Sequence, residues 1–215
     1  MASSKSGLMG NYDLFVFDWD GTLNRMRFLL GANESIKRAL HIWNEDSSIK
    51  DFKRTNHDLK KRINSIEVRN DVAAFLFEIF MEFGKPRLHH DVLRTIERLR
   101  RNGKKTAIFS NSSEYRLVKE LKRLGLIGYF DMIVSAKELN AVKPNPTGLR
   151  YILSATKTKQ DRCIYFGDMA DDILTAKLAH VHSCAVADGF DSYHKLKSMH
   201  PEYIFTSIEE LYKSL

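Results

Sequence analysis

Two acidic residues separated by one position, Asp18 and Asp20, are the side chains of this sequence best suited to catalysis. They follow the apolar run at residues 14–17, which predicts a buried β-strand, and Gly21 permits a tight turn after them. Ligands of open parallel sheets bind beyond the carboxyl ends of the strands. One carboxylate can attack there as a nucleophile while the other moves protons, and the pair offers oxygen ligands that suit Mg²⁺. Taken alone, the same residues would also suit an ordinary turn.

Three later segments place further polar residues at predicted strand ends or in a loop. Ser110 directly follows an apolar run, so its hydroxyl can donate to a phosphoryl oxygen, although the segment equally suits a helix cap. Asp168 lies just after another apolar run and can reach the same crevice as Asp18. Lys143 lies in a loop with two prolines, where an isolated lysine is usually solvated. Each of these signals is weak alone, and their order along the chain makes them informative as a set.

Taken in order, these segments resemble the four motifs of the haloacid dehalogenase superfamily, over about residues 14–215. The first motif of its phosphatases is Asp-x-Asp-Gly-Thr, and the second aspartate, here Asp20, excludes the dehalogenase branch, which lacks it. The second motif is an apolar strand that ends in Ser or Thr, the third carries a lysine, and the fourth is Gly-Asp-x-x-x-Asp. The matching positions are Asp18, Asp20, Gly21, Thr22, Ser110, Asn111, Lys143, Gly167, Asp168 and Asp172.

The resemblance implies a phosphatase of small phosphomonoesters that works through an aspartyl-phosphate intermediate. Asp18 would attack phosphorus, and Asp20 would protonate the leaving alkoxide and later deprotonate the attacking water. Mg²⁺ would be bound by the side chains of Asp18 and Asp168 and by the backbone carbonyl of Asp20. Asp172 would complete this metal site by holding a metal-bound water or Lys143.

Other candidates would contact the transferring phosphoryl group or the remainder of the substrate. Lys143 and Ser110 would spread the charge of the transferring group. Arg25, like Arg27, would bind a carboxylate or a second phosphate of the substrate, or would be a solvated hinge residue. The expected substrate contacts are Thr22, Asn111, Ser112 and Arg25.

Hydrophobic patterning divides the chain into two kinds of segment. Residues 84–215 alternate apolar runs with amphipathic helical segments, which requires parallel strands joined by crossover helices. Residues 24–83 show helical periodicity only. The sequence therefore predicts an α/β fold, a doubly wound Rossmann-like parallel sheet core formed by residues 1–23 and 84–215. The resemblance implies that the insertion at 24–83 is an all-helical cap domain.

The sequence departs from capped members of the superfamily in two places. Such relatives often carry an acidic residue soon after the first motif, where this chain has Asn24 and Arg25. They also often carry Pro-Gly before the helix that precedes the second motif, where this chain has His89 and His90. The adjacent histidines have no further ligand at useful spacing, so we expect them to be surface residues rather than metal ligands.

Composition narrows the class and the compartment. The 215 residues are 43% hydrophobic and 28% charged, as in globular proteins, and no apolar run is long enough to span a membrane. Residues 1–7 lack the apolar core of a secretory signal. Cys163 and Cys184 each lie in a predicted buried strand, which favours reduced structural thiols and a cytoplasmic location.

The net charge of +7 raises the question of nucleic acid as a partner. Many of the basic residues lie in and after one predicted helix, without interleaved aromatics, so we expect a solvated helix face and no nucleic-acid binding. The expected partner is a small phosphorylated metabolite. Three alternatives remain open from the sequence: a phosphotransferase such as a sugar-phosphate mutase, a nucleic-acid end phosphatase, and a non-catalytic binding module. The sequence names neither the substrate nor the oligomeric state.

Overall fold

The structure, a computed structural model, describes residues 7–25 and 86–215. These residues form six strands and seven α-helices, numbered here in chain order. The elements are α1 (Leu8–Asn11), β1 (Leu14–Phe17), α2 (Val92–Arg101), β2 (Lys105–Ser110), α3 (Glu114–Arg123), β3 (Met132–Ser135), α4 (Thr147–Thr156), β4 (Cys163–Gly167), α5 (Ala170–Ala179), β5 (His182–Val186), α6 (Tyr193–Ser198), β6 (Tyr203–Phe205) and α7 (Ile208–Ser214).

All six strands belong to one parallel sheet in the order β3-β2-β1-β4-β5-β6. The chain runs outward from β1 to β3 and then crosses back to place β4 against the other edge of β1. In a doubly wound sheet of this order, the reversal opens a crevice at the carboxyl ends of the two central strands. The predicted α/β fold is confirmed, and the candidate carboxylates follow the two strands that flank the reversal.

The alternation of side chains along β1 explains why the sheet is covered on both faces. Phe15 and Phe17 point to one face, and Leu14 and Val16 point to the other, because successive side chains of a strand lie on opposite faces. The first face packs against apolar residues of α1, α2, α3 and α7, and the second against α4 and α5. All four β1 side chains are fully buried, so the end of this strand, where Asp18 follows, is a rigid platform.

Helix starts differ from the expected positions in two places. The amphipathic pattern of residues 91–101 predicts a helix from Asp91, whereas α2 begins at Val92, because Asp91 takes a left-handed conformation with φ of 63°. The sequence also predicts a helix that begins at Asp171 or Asp172, whereas α5 begins at Ala170. There the backbone N–H of Met169 donates to Asp172 Oδ2 over 3.0 Å. The side chain of an acidic residue in the first turn thus reaches back to the residue that precedes the helix and caps it.

The segments that lead into and out of the insertion are paired in the described part of the chain. Asn24 and Leu88 form an antiparallel bridge, and the backbone N–H of Arg25 donates to the carbonyl of Arg87. The chain divides into two units, Met1–Arg25 with Pro86–Leu215, and Met26–Lys85. The all-helical cap predicted for residues 24–83 lies, apart from its first two residues, outside the described residues and stays a prediction.

The basic residues around α2 have partners within the protein. Arg94 contacts Asp91, and Arg101 contacts Glu97, both one helical turn away. The remaining contacts are Arg98 with the Tyr212 carbonyl, Arg100 with Asp131, Lys104 with Asp13, and Lys105 with the Thr156 carbonyl. These contacts agree with a solvated structural face.

Both cysteines are free and buried, Cys163 against α4 and α5 and Cys184 on the opposite face of the sheet. Burial raises the pKa of each thiol, which keeps both thiols protonated and unreactive. Within residues 7–25 and 86–215, no helix is long and apolar enough to cross a membrane.

Candidate active site

Three carboxylates and one ammonium meet at the carboxyl ends of β1 and β4. Lys143 Nζ lies 2.7 Å from Asp18 Oδ1 and 2.6 Å from Asp172 Oδ1. Carboxylate oxygens of Asp18, Asp168 and Asp172 lie within 4.8 Å of one another. All four side chains are buried, although they come from three separate stretches of the sequence. The structure therefore brings together the charged candidates of the first, third and fourth motifs.

The excess of buried negative charge dominates the electrostatics of this cluster. Burial raises the pKa of Asp18 to about 7, against the lowering influence of Lys143, and the charge of Asp172 adds to the rise. Burial and the charges of Asp18 and Asp172 raise the pKa of Asp168 well above its usual range. Burial disfavours the charge on Lys143, but Asp172 and Asp18 outweigh it and raise the pKa of the ammonium. One ammonium against three carboxylates leaves a deficit of positive charge that a divalent cation would fill.

The donor set fits a hard divalent cation. The cluster offers only carboxylate oxygens, with no thiolate or imidazole, and Mg²⁺ is usually held by one or two carboxylates together with water and substrate oxygens. Lys143 contacts Asp18 through Oδ1, whereas the oxygens of Asp168 accept from Thr22 and from the Phe190 N–H. Asp172 accepts hydrogen bonds from Lys143 Nζ and from the Met169 N–H. It therefore holds Lys143, one of the two partners expected for it.

Asp168 is held by both of its oxygens. Thr22 Oγ1 donates to Oδ1 over 2.9 Å, and the backbone N–H of Phe190 donates to Oδ2 over 2.7 Å. Gly21 packs directly on the carboxylate with φ of 88°, and a Cβ there would overlap the Asp168 oxygens. Gly21 is therefore required both for the turn and for the space it leaves. Thr22 is fully buried and directed at Asp168, and its expected contact with substrate stays a prediction.

The Ser110–Ser112 segment at the end of β2 lies beside Asp20 of the first motif. Ser110 is buried, and its Oγ accepts the N–H of Ser112 over 3.2 Å. Asn111 Oδ1 accepts the backbone N–H of Lys143 over 2.9 Å, which ties the lysine loop to this segment. Ser112 Oγ donates to Asp20 Oδ2 over 2.6 Å. Ser113 supplies the cap of α3 by accepting the N–H of Arg116.

Asp20 lies apart from the buried cluster and is surrounded by donors. Its Oδ2 accepts from Ser112 and contacts the guanidinium of Arg116, while its Oδ1 accepts from Asn24 Nδ2 over 3.2 Å. The side chain is 18% exposed, whereas that of Asp18 is 5% exposed. Two carboxylates one residue apart thus occupy different environments, which suits them to different roles.

A buried tyrosine lies beneath the lysine. The hydroxyl of Tyr165 donates to the Phe109 carbonyl over 3.0 Å and lies 3.0 Å from Asp172 Oδ1 and 3.2 Å from Lys143 Nζ. Burial and the charge of Asp172 raise the pKa of Tyr165 well above its usual value, so the hydroxyl stays protonated. Tyr165 therefore joins β2 and β4 to the charged groups of the site.

The remaining basic and histidine candidates are placed differently from one another. Arg25 Nε is buried without a hydrogen-bond partner among the described residues, and Arg27 lies outside them. His90 is exposed as expected, but the expectation was wrong for His89, which is buried and pairs with Asp188 at 3.0 Å. Asp188 lies in the loop after β5, and the contact with it places His89 beneath that loop.

Comparison with known proteins decides the family. A family model described as haloacid dehalogenase-like hydrolase matches residues 15–186, most of the chain. The chain belongs to this family. The match contains the described parts of all four motifs, from Asp18 to Asp172. The resemblance seen in the sequence is thereby confirmed.

Individual hydrolases of the family are similar over different lengths. The pyrophosphatase PpaX of Halalkalibacterium halodurans is 31% identical over 57% of this chain and 61% of its own length. The phosphoglycolate phosphatase of Vibrio parahaemolyticus is 22% identical over 92% of this chain and 93% of its own. The crystal structure of a predicted phosphatase from Clostridium acetobutylicum has a TM-score of 0.69 and 26% identity, and covers 94% of this chain and 97% of the other. The chain therefore spans less than two thirds of some curated relatives and nearly all of others.

Several contacts of the site were missed from the sequence. Tyr165 reads as one more apolar residue of β4, since only the register shows that its hydroxyl reaches Lys143. Arg116 and Glu120 stand four residues apart on α3, a spacing that predicts an ion pair between them. Nothing in that spacing shows which face of α3 turns toward Asp20, so their proximity to the site required the tertiary structure.

Tyr165→Phe should lower the free energy of unfolding by about 1–3 kcal/mol, because it leaves buried polar partners with one contact fewer. Chemical denaturation followed by circular dichroism measures the change. Tyr115→Phe is the matched control, since Tyr115 is 66% exposed and should change the stability by less than about 0.5 kcal/mol. Equal effects of the two substitutions would contradict the conclusion that the Tyr165 hydroxyl joins β2 and β4 to the charged groups of the site.

Proposed function

We propose that this protein hydrolyses small phosphomonoesters with the help of Mg²⁺, through a phosphorylated Asp18. The observation that carries the proposal is the convergence of Asp18, Asp168, Asp172 and Lys143 at the switch point of the sheet, with Asp20 in a separate environment beside them. The names of the relatives support the substrate class, since phosphoglycolate and pyrophosphate are both small and phosphorylated. A cytoplasmic location remains the expectation from the reduced cysteines.

The metal would be held by the carboxylates of Asp18 and Asp168 and by the backbone carbonyl of Asp20. When bound, Mg²⁺ supplies charge neutralisation for the phosphoryl oxygens and for the nucleophile. Lys143 lies against Asp18 Oδ1 and adds a second positive charge at the same point. Asp172 and Tyr165 hold that ammonium in place, so that it meets the developing charge without reorganising.

Asp18 attacks phosphorus with a carboxylate oxygen, and the bond from phosphorus to the leaving oxygen breaks. Asp20 gives a proton to that oxygen, and it takes a proton from the water that later cleaves the aspartyl phosphate. The hydroxyl of Ser110 and the N–H groups of Asn111 and Ser112 offer donors for the phosphoryl oxygens. Arg25, at the entrance of the insertion, would contact a second anionic group of the substrate.

Phosphate release tests the reaction itself. A screen over phosphoglycolate, sugar phosphates, nucleotides, pyrophosphate and DNA ends should give one phosphate per ester consumed and two per pyrophosphate, and Asp18→Asn should reduce the rate to background. Asp161→Asn removes an exposed carboxylate that precedes β4, at the opposite end of that strand from Asp168, and should leave the rate unchanged. An isomeric phosphate without free phosphate would make the protein a mutase. Turnover confined to DNA ends would overturn the small-substrate proposal, and no turnover of any ester would leave a binding module.

Thermal unfolding tests the metal independently of activity. In the metal-free protein, the raised pKa of Asp18 means that the folded state keeps a proton which the unfolded chain releases near 3.8. Tighter binding of this proton by the folded state stabilises the protein fully below pH 3.8, and the stabilisation is lost as the pH rises through about 7. Because Mg²⁺ replaces the proton, it should stabilise the protein more at about pH 8 than at about pH 5.5.

At a concentration of 100 times Kd, the gain at the higher pH should be about 2.7 kcal/mol, or roughly 5–10 °C in Tm. Asp168→Asn should abolish the gain, and Asp161→Asn should leave it intact. A gain that is independent of pH, or that survives in Asp168→Asn, would remove the metal from this cluster.

The dependence on the leaving group tests the proton carried by Asp20. Asp20→Asn should slow the first chemical step by about 10²–10⁴-fold for alkyl phosphates, whose alkoxide needs an acid. The same step should change much less for p-nitrophenyl phosphate, because p-nitrophenolate leaves without one. The attack of water loses its base with either substrate, so the variant should release a burst of p-nitrophenolate and accumulate phosphate on Asp18. Rapid quenching with labelled substrate measures both, and equal slowing without trapped phosphoenzyme would rule Asp20 out as the acid.

A further inference from the structure

A continuous set of contacts begins at Trp19 and returns to Asp20, the next residue in the chain. Trp19 Nε1 donates to Glu120 Oε2 over 2.6 Å. Glu120 Oε1 lies 3.8 Å from Arg116 Nε, and Arg116 Nη2 contacts Asp20 Oδ2. The same Nη2 donates to Ser112 Oγ over 2.7 Å. Helix α3 is thus attached twice to the first motif, once through an indole and once through a guanidinium.

The burial of these groups shows that the attachment is fixed. Trp19 is fully buried, and Glu120 and Arg116 are 3% and 8% exposed. Burial raises the pKa of Glu120, whereas the nearby charge of Arg116 and the hydrogen bond from Trp19 oppose the rise. A buried charge is tolerated when it is paired and hydrogen-bonded, which both charges of this pair are.

The charge balance argues against a substrate-binding role for Arg116. Its guanidinium already faces two carboxylates, those of Asp20 and Glu120, so no positive charge is left over for an anionic substrate. A planar fork of N–H donors can instead hold two carboxylates in fixed directions, and here Nε lies toward Glu120 while Nη2 contacts Asp20. Nη2 and Ser112 Oγ both engage Asp20 Oδ2, whereas among the described residues Oδ1 has only the 3.2 Å contact from Asn24. Oδ1 is therefore the oxygen that is least occupied.

We propose that Arg116 is a positioning residue that fixes the Asp20 carboxylate by Oδ2 and leaves Oδ1 to exchange the proton with the leaving oxygen and the attacking water. Glu120 and Trp19 hold Arg116 in turn. This inference rests on the proposed function, because it assigns a direction to a proton transfer that the proposed function gives to Asp20. A proton leaves Oδ1 for the departing oxygen, and a proton from water returns to Oδ1.

Arg116→Gln isolates the effect, because Gln keeps a polar side chain but carries neither the charge nor the fork. With p-nitrophenyl phosphate the first step needs no acid, so its rate should change less than about threefold. The attack of water needs a positioned base and should slow by about tenfold to a hundredfold, part of the full effect of general acid–base catalysis. A burst of p-nitrophenolate and labelled phosphate trapped on Asp18 should result. Rapid-quench measurements give both rates in one experiment.

Three comparisons separate positioning from a general loss of structure. Lys122→Gln removes one positive charge from an exposed position of the same helix and should show no burst. Glu120→Gln removes the carboxylate that pairs with Arg116 on the side away from Asp20, and it should show a smaller burst. Arg116→Lys keeps the charge without the fork, should fall between wild type and Arg116→Gln, and carries the test if Arg116→Gln does not fold.

The double variant with Asp20→Asn decides between the possible explanations. If Arg116 acts through Asp20, adding Arg116→Gln to Asp20→Asn should slow the attack of water by less than twofold further, since coupled residues are not additive. A full additional loss, or equal slowing of both steps by Arg116→Gln without trapped phosphoenzyme, would overturn the positioning role. If Asp20→Asn itself shows no burst and no phosphoenzyme, the acid–base role of Asp20 is wrong. Failure of the Arg116 proposal is therefore distinguishable from failure of the proposed function.

Discussion

The mutual repulsion of buried carboxylates is the constraint on which this structure depends. Asp18, Asp168 and Asp172 lie within 4.8 Å of one another and out of water, with Lys143 as the one ammonium in contact with them among the described residues. Buried charges of one sign persist only where opposite charge and hydrogen bonds compensate them. The surrounding contacts provide this compensation: Thr22 and the Phe190 N–H on Asp168, and the Met169 N–H on Asp172.

The topology of the sheet makes that concentration of charge possible. Strand β1 lies between β2 and β4, so the segments after three neighbouring strands open into one crevice. Fully buried β1 side chains on both faces give the crevice a rigid base. Repulsion between the buried carboxylates destabilises the folded state, and hydrophobic burial in the core offsets this cost.

The two carboxylates of the first motif are separated chemically by what lies next to them. Asp18 faces inward to the ammonium of Lys143, while Asp20 faces α3 and the donors of Ser112 and Arg116. An ammonium on a flexible stem and a planar guanidinium make different partners, one a point charge and the other a directional fork. The same residue type can therefore serve one site in two ways, as nucleophile and as proton carrier.

The sequence by itself determined the order of strands and helices in the described core and the positions where chemistry is concentrated. Apolar runs predicted the strands, and the polar residues after them, such as Asp18, Ser110 and Asp168, were found from that placement alone. These features are local, since the pattern of burial and the end of each strand are encoded in a few adjacent residues. The details of helix starts were less accurate, because Asp91 takes a left-handed conformation before α2 and Asp172 accepts the Met169 N–H at the start of α5.

Only the tertiary structure decided which side chains meet. The hydroxyl of Tyr165 reaches Lys143 because the register of β4 against β1 places it beneath the lysine. Arg116 reaches Asp20 because α3 packs with one face on the sheet, and His89 is buried because the loop after β5 lies over it. Contacts of this kind join residues tens of positions apart, and their energies depend on distances that no local pattern encodes. The physical reason is that hydrophobic burial fixes the elements locally, whereas hydrogen bonds and charge pairs are specified by the geometry with which those elements pack.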